Sequence, residues 1–160
     1  MAVDYLLKIT GADGESKIKG HEGEIDVLAW SWGMSQSGTM HVGGGGGAGK
    51  VNIQDISLTK YVDKASPLLM KMCCNGEHFS EALLTARKAG KDPLEYLKLT
   101  MTDVLVSSIS TGGSDAEDRP TESVTLNFAK FEVGFVPQKE DGSGDAEVVL
   151  KWNIEANVEE

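Results

Sequence analysis

The run Glu24-Ile25-Asp26-Val27-Leu28-Ala29-Trp30-Ser31-Trp32-Gly33-Met34 carries two of the chain's three tryptophans, one residue apart. A β-strand sends alternate side chains to opposite faces. Read as one strand, the run groups Trp30 and Trp32 with Asp26, Leu28 and Met34. Ile25, Val27, Ala29 and Ser31 share the other face. Two indoles need a core to cover them. The opposite face starts apolar and shrinks to Ala29 and Ser31, as a strand does where it leaves a packed region and borders open space. No acid, base or nucleophile constellation accompanies the run. Its character is architectural.

Much of the remaining chain alternates in the same way, with slips. Val3, Tyr5, Leu7 and Ile9 share one side of a first strand. Val51-Asn52-Ile53 and Ile56-Ser57-Leu58 fall out of phase, which predicts a bulge near Asp55. Leu97, Leu99 and Met101 give way to Val104 and Val106, with the slip at Asp103. Val124, Leu126 and Phe128 give way to Phe131, Val133 and Phe135. An extra residue flips the faces and bends the strand, so repeated slips predict sharply curved sheets. Segments 81–88 and 94–110 read as paired strands joined through 89–93. A last strand runs from Val148 to Ala156, and Asn157–Glu160 reads as a frayed end.

One helix stands out. Ser66 is placed to cap it, Pro67 suits its first turn, and Gly76 ends it after Leu68–Asn75. The expected fold is mainly β: a small β-barrel of two curved antiparallel sheets with one short α-helix, in a single domain spanning 1–160.

Composition narrows the partners. Fifteen Lys and Arg against 25 Asp and Glu give a formal net charge of -10. Nucleic-acid binding needs clustered cations on phosphates, so it is not expected, nor is docking on anionic membranes. No stretch approaches the ~18 consecutive apolar residues of a membrane-spanning helix, so membrane insertion is not expected either. Met1-Ala2-Val3-Asp4 lacks the basic start of a secretory leader. The only cysteines, Cys73 and Cys74, are adjacent, which is poor spacing for a crosslink. Two reduced thiols on or near the helix, in a chain folded in the cytoplasm, are the expectation.

The glycine-rich segment invites a nucleotide-binding reading and does not sustain it. Gly44-Gly45-Gly46-Gly47-Ala48-Gly49-Lys50 fits the start of G-x-x-x-x-G-K-[ST]. That motif next needs a hydroxyl for Mg²⁺ and a helix N-terminus facing the phosphates. Val51 and a strand follow instead. A flexible arm almost free of side chains, able to lie close to another backbone, is the better reading. His21, His41 and His78 have no partner at metal-ligand spacing. No catalytic residues, metal or cofactor are expected, and the chain does not read as an enzyme.

Longer ordered stretches carry a family resemblance. Gly14-Glu15-Ser16-Lys17, Glu24–Gly33 and Ser35-Gln36-Ser37-Gly38 resemble the haemolysin-coregulated proteins of bacterial type VI secretion systems. So do the polyglycine arm, Asp55–Lys64, Ala86–Gly90, Val106–Ser114 and Glu122–Phe128. The resemblance implies homohexameric rings that stack into an inner tube within a contractile sheath, capped by a spike protein. It implies a lumen that binds and shelters small effector proteins. It also implies assembly in the cytoplasm followed by secretion without a signal peptide. On that footing Ser31 and Ala29 are the lumen candidates. Gly43, Gly44, Gly45, Gly46, Gly47 and Lys50 are candidates for intersubunit or inter-ring contact. The alternative is a secreted β-sandwich that binds sugars or host surfaces and forms no tube.

Overall fold

Strand follows strand through most of the computed structural model, which describes residues 2–38 and 49–160. The candidates Gly43 to Gly47 lie outside the described residues. Three long segments form the centre: β7 (His78–Lys88), β8 (Glu95–Gly112) and β9 (Thr121–Phe135), each antiparallel to the next. Beyond β7 lie β1 (Val3–Ile9) and then β2 (Ile25–Val27). Strand β9 is long enough to hold two further partners on its other edge. Its N-terminal half pairs β6 (Ile56–Tyr61), which in turn pairs β3 (Ala29–Ser31). Its C-terminal half pairs β10 (Val148–Asn153). Among the described residues these strands, with β11 (Val158–Glu159), make a nine-stranded sheet. A separate ribbon joins β4 (Met34–Ser35) to β5 (Asn52–Ile53).

Among the described residues the architecture is mainly β with one short helix, as expected. The two sheets are very unequal, and the larger curls without its ladder closing. Its arms converge on Leu28, the residue between β2 and β3, whose N–H reaches the Thr59 carbonyl at 2.8 Å. The covalent chain rather than a ladder bridges the gap. Inside the curl lie Leu7, Ile25, Ile56, Leu58, Met101, Val104, Leu126 and Phe128, all buried.

The slips have distinct structural origins. Asp103 sits in the left-handed region at φ 55°, which turns β8 between Met101 and Val104; Asp103 itself drops out of both ladders, but their register is the same on either side. A bulge between Val106 and Ser108 shifts the register against β9. Near Asp55 the expected bulge is instead a change of partner: β5 belongs to the ribbon, and after two intervening residues β6 starts in the large sheet.

The helix α1 (Ser66–Asn75) has Pro67 in its first turn, and Gly76 at φ 71° returns its N–H to the Met72 carbonyl at 3.0 Å. Leu69 and Met72 are buried. Cys73 is half-buried and Cys74 exposed, and both are free thiols. Ser66 does not cap the helix; Ala65 stands at that position, with no side-chain cap. The Ser66 hydroxyl is spent on a buried ion pair described below. The C-terminal residues also depart from expectation. Asn157, at φ 57°, turns the chain back so that β11 pairs Trp152 and Asn153. Glu160 then meets Lys130 at 3.0 Å, so this end is tied down rather than frayed.

Candidate functional site: a hydroxyl-bearing sheet face

Strand β3 places Ala29 and Ser31. The single-strand reading sets them on the same face as Ile25 and Val27, and the structure corrects this. Ile25 and Val27 are buried while Ala29 and Ser31 are exposed. The chain bends at Leu28 and changes neighbour from β1 to β6, which swaps its faces. Beyond the bend the expected alternation holds. Trp30 packs against the core and meets Tyr5 edge-on, ring centroids 6.2 Å apart. Trp32 meets Phe131 in the same manner at 4.9 Å, and its indole N–H donates to the Gln54 carbonyl at 2.8 Å. Indoles turn inward, so Ser31 turns outward.

Register then brings distant residues beside it. Directly opposed residues in antiparallel strands share a face. Ser31 opposes Ser57, Ser57 opposes Thr125, and Thr125 opposes Ser108. One step along, Ala29 opposes Thr59, Thr59 opposes Ser123, and Ser123 opposes Ser110. Two rows of short, neutral side chains thus cross four strands. The bulge at Val106/Ser108 adds Ser107 to the same face, and both Ser107 and Ser108 bond the Thr125 hydroxyl, at 2.7 Å and 2.6 Å. Ser107 lies 2.6 Å from Asp55, whose other oxygen accepts from Asn127 at 2.8 Å. Hydrogen bonds within the face therefore occupy its Asp55 end, whereas Ser31, Ser57 and Ser123 stay exposed.

Charge gathers at the ends of the rows. At the other end Tyr61 opposes Thr121, and the Arg119 guanidinium lies 4.1 Å from the Tyr61 ring centroid. A cleft of about 400 Å³ opens there between Leu28, Tyr61, Thr121 and the acidic turn Glu117-Asp118. Nearby, burial raises the Asp26 carboxyl above the ordinary aspartate range; a Ser16 hydrogen bond opposes the shift, and Asp4 and Asp63 add to it.

The rows are held rigid from behind. On the inward side of the same strands, Lys60 on β6 and Glu122 on β9 are buried and meet at 2.5 Å. Lys60 also reaches Asp63 at 3.1 Å and Ser66 at 3.2 Å, while the Ser66 hydroxyl donates to Glu122 at 2.5 Å. Thr111 donates to the second Glu122 oxygen at 3.2 Å. This knot fastens the start of α1 to β6, β8 and β9.

Of the remaining sequence candidates, Lys50 is exposed just before β5. Beyond β4 and β5 the two segments stay close: a Cβ on Gly49 would sit 2.5 Å from the Ser37 hydroxyl oxygen. Sequence reading missed Ser57, Thr59, Ser108, Ser110, Ser123 and Thr125 as members of the face. The signal was available: hydroxyls alternate with Ile56, Leu58, Val124 and Leu126 at a period of two. What it lacked was the pairing that puts them side by side.

Comparison with known proteins points one way. The sequence profile described as "Type VI secretion system effector, Hcp" matches residues 6–135. Protein hcp1 of Pseudomonas aeruginosa is 61% identical over 161 residues, covering 99% of this chain and 99% of the relative. The crystal structure of Hcp1 from Salmonella typhimurium superposes with a TM-score of 0.83 at 40% identity, covering 100% of each chain. A solved type six secretion system protein superposes with a TM-score of 0.94 at 28% identity, covering 99% of this chain and 100% of that one.

Proposed function

Because this chain belongs to the Hcp family of type VI secretion proteins, structural components rather than enzymes, we propose that it builds the secretion tube. Six copies close head to tail into a ring, and rings stack into a hollow inner tube. A contractile sheath expels the tube behind a spike protein, carrying it out of the cytoplasm without a signal peptide. The lumen shelters small effector proteins until delivery.

The observation that carries this reading is the hydroxyl-bearing face around Ser31. A wall that holds varied protein cargo and then releases it is best made of short, uncharged, weakly bonding groups on a stiff sheet. Ala29, Ser31, Ser57 and Ser123 supply such groups, and the ion pair behind them supplies the stiffness. Self-assembly draws support from β10. Val148 is 66% exposed and its cross-strand partner Phe135 46%, an apolar patch beside a strand edge that β11 covers only at Trp152 and Asn153. Such an edge favours pairing with another chain. A head-to-tail contact of this kind closes into a ring when its rotation allows. The ribbon that leads toward Gly43–Gly47, with Lys50 at its foot, is the arm proposed to meet the neighbouring subunit or ring.

Particle mass and negative-stain imaging test the assembly. Rings with a central hole are expected, and a compact monomer at every concentration and salt would refute the proposal. For the wall, Ser31→Gln is expected to leave rings intact and reduce retention of a co-expressed effector; unchanged retention would remove Ser31 from the lumen. For the arm, valines at Gly45–Gly47 are expected to weaken stacking while single rings persist.

A further inference from the structure

His21 has both ring nitrogens on carboxylates. Nδ1 meets Glu24, at the foot of β2, and Nε2 meets Oε1 of Glu95, the first residue of β8, at 2.6 Å. The partners lie three and 74 residues away in sequence. The ring is not a solvated surface group: its side chain is 12% exposed and that of Glu24 9%. A neutral imidazole carries a single N–H, so donation to two ionised carboxylates requires the imidazolium.

We propose that His21 is a proton-operated latch, clamping the 12–24 loop and the foot of β2 to β8 as an imidazolium and releasing one carboxylate when it deprotonates. The loop is built to feel that release. Gly14 donates to Gly23 at 2.8 Å, Ser16 to Glu24 at 2.9 Å, and Gly23 back to Ser16 at 2.9 Å, so Glu24 belongs to both the ladder and the latch. Gly14 lies flush against that rung: a Cβ on it would sit 2.5 Å from the Glu24 carbonyl oxygen and 2.7 Å from the Ile25 Cα. Any shift of Glu24 is therefore transmitted to the loop and to the first residue of β2.

The charged groups around the ring fit a cationic latch. On the loop, Glu22 turns back to accept from the Gly20 N–H at 3.1 Å, and Lys19, three residues before it, adds a positive charge. On β8, Lys98 holds the other Glu95 oxygen at 3.3 Å. Burial by itself raises the Glu95 carboxyl, but hydrogen bonds from His21 and Lys98 outweigh it and leave the group below the ordinary glutamate range. Both ring contacts are hydrogen bonds only while the ring carries both of its protons. The lowered Glu95 carboxyl gives stability at higher pH that is lost as pH falls through its folded-state titration, which sets the acid limit of the latch.

Hydrogen–deuterium exchange on the full-length protein, corrected for intrinsic rates, tests this across the imidazole range. Peptides spanning 12–24 should lose about tenfold protection as pH rises, the effect of losing one charge-assisted hydrogen bond. Peptides from β9 should not change. His21→Gln keeps hydrogen-bonding capacity without a titrating proton, so its profile should be flat. Glu95→Gln keeps the shape and removes one anion, so its span should shrink. A flat wild-type profile overturns the proposal, and so does a His21→Gln profile that falls as steeply as the wild type.

Discussion

The two sides of β6 and β9 carry opposite chemistry in an unusual arrangement. Inward, where apolar residues are the norm, stand Lys60 and Glu122, 1% and 2% exposed. Outward, where charge is the norm, stand Ser57, Thr59, Ser123 and Thr125. A buried ion pair adds little net stability, because desolvating both charges offsets their attraction. Its geometry is demanding, however: Lys60 must meet Glu122, Asp63, Ser66 and the Tyr61 carbonyl together. That convergence fixes the register of β6 against β9 and docks α1 in one orientation. The outward face needs no such specificity, and its short hydroxyls leave a smooth neutral surface on a frame defined from behind. Rigidity and weak binding are thus separated by the thickness of one sheet.

The contrast breaks most visibly at Glu122. Glu122→Ala leaves the Lys60 ammonium in the core with Asp63 as its remaining carboxylate and should cost about 3 kcal/mol, read from the denaturation midpoint at constant m. Replacing both partners, Lys60→Met with Glu122→Leu, should recover only part of that loss, because Asp63 then lacks its cation. If it does not, the pair contributes more than register. Ser66→Ala removes one shared hydroxyl and leaves its partners short of a bond, for an expected loss of about 1–2 kcal/mol in the same measurement. On the other face, Thr125→Val deletes the hydroxyl that joins Ser107 to Ser108, yet stability should move by no more than about 0.5 kcal/mol. A large loss there would mean the outer rows also hold the fold.

The smallest effect is expected at Asp26, beside the cleft that ends the rows. Its carboxyl titrates higher in the folded state than in the unfolded chain, so ionisation disfavours folding. Asp26→Asn should therefore raise Tm slightly near neutral pH. The advantage should fade as pH falls through the folded-state titration of Asp26 and its charge is neutralised. An advantage that grows in acid would contradict the assigned sign.

Much of the architecture is legible in the order of residues because it is local. Alternation announces strands, and a change of phase announces a bend, as Asp103 bears out with its left-handed backbone. Pro67 and Gly76 bracket the helix for reasons internal to a helix. The inward turn of Trp30 and Trp32, with Ser31 facing away, follows from the period of a strand. The family resemblance was legible for another reason, since it rests on long ordered matches along the chain.

Other features depend on which strands become neighbours. The bend at Leu28 is invisible to a periodicity argument, because it reflects an exchange of partner from β1 to β6. The same is true near Asp55, where one strand ends in a ribbon and the next begins in a sheet. Lys60 and Glu122 read as unremarkable polar residues, and Ser66 as a helix cap, until register brings them together across 62 and 56 positions. His21 reads as a loop residue with no partner at metal-ligand spacing until β8 delivers Glu95. Side-chain direction is set by a residue's own backbone and its near neighbours, so the amino-acid order declares it. Pairing is set by the balance of burial and hydrogen bonding over the whole curled sheet, and only the folded chain decides it.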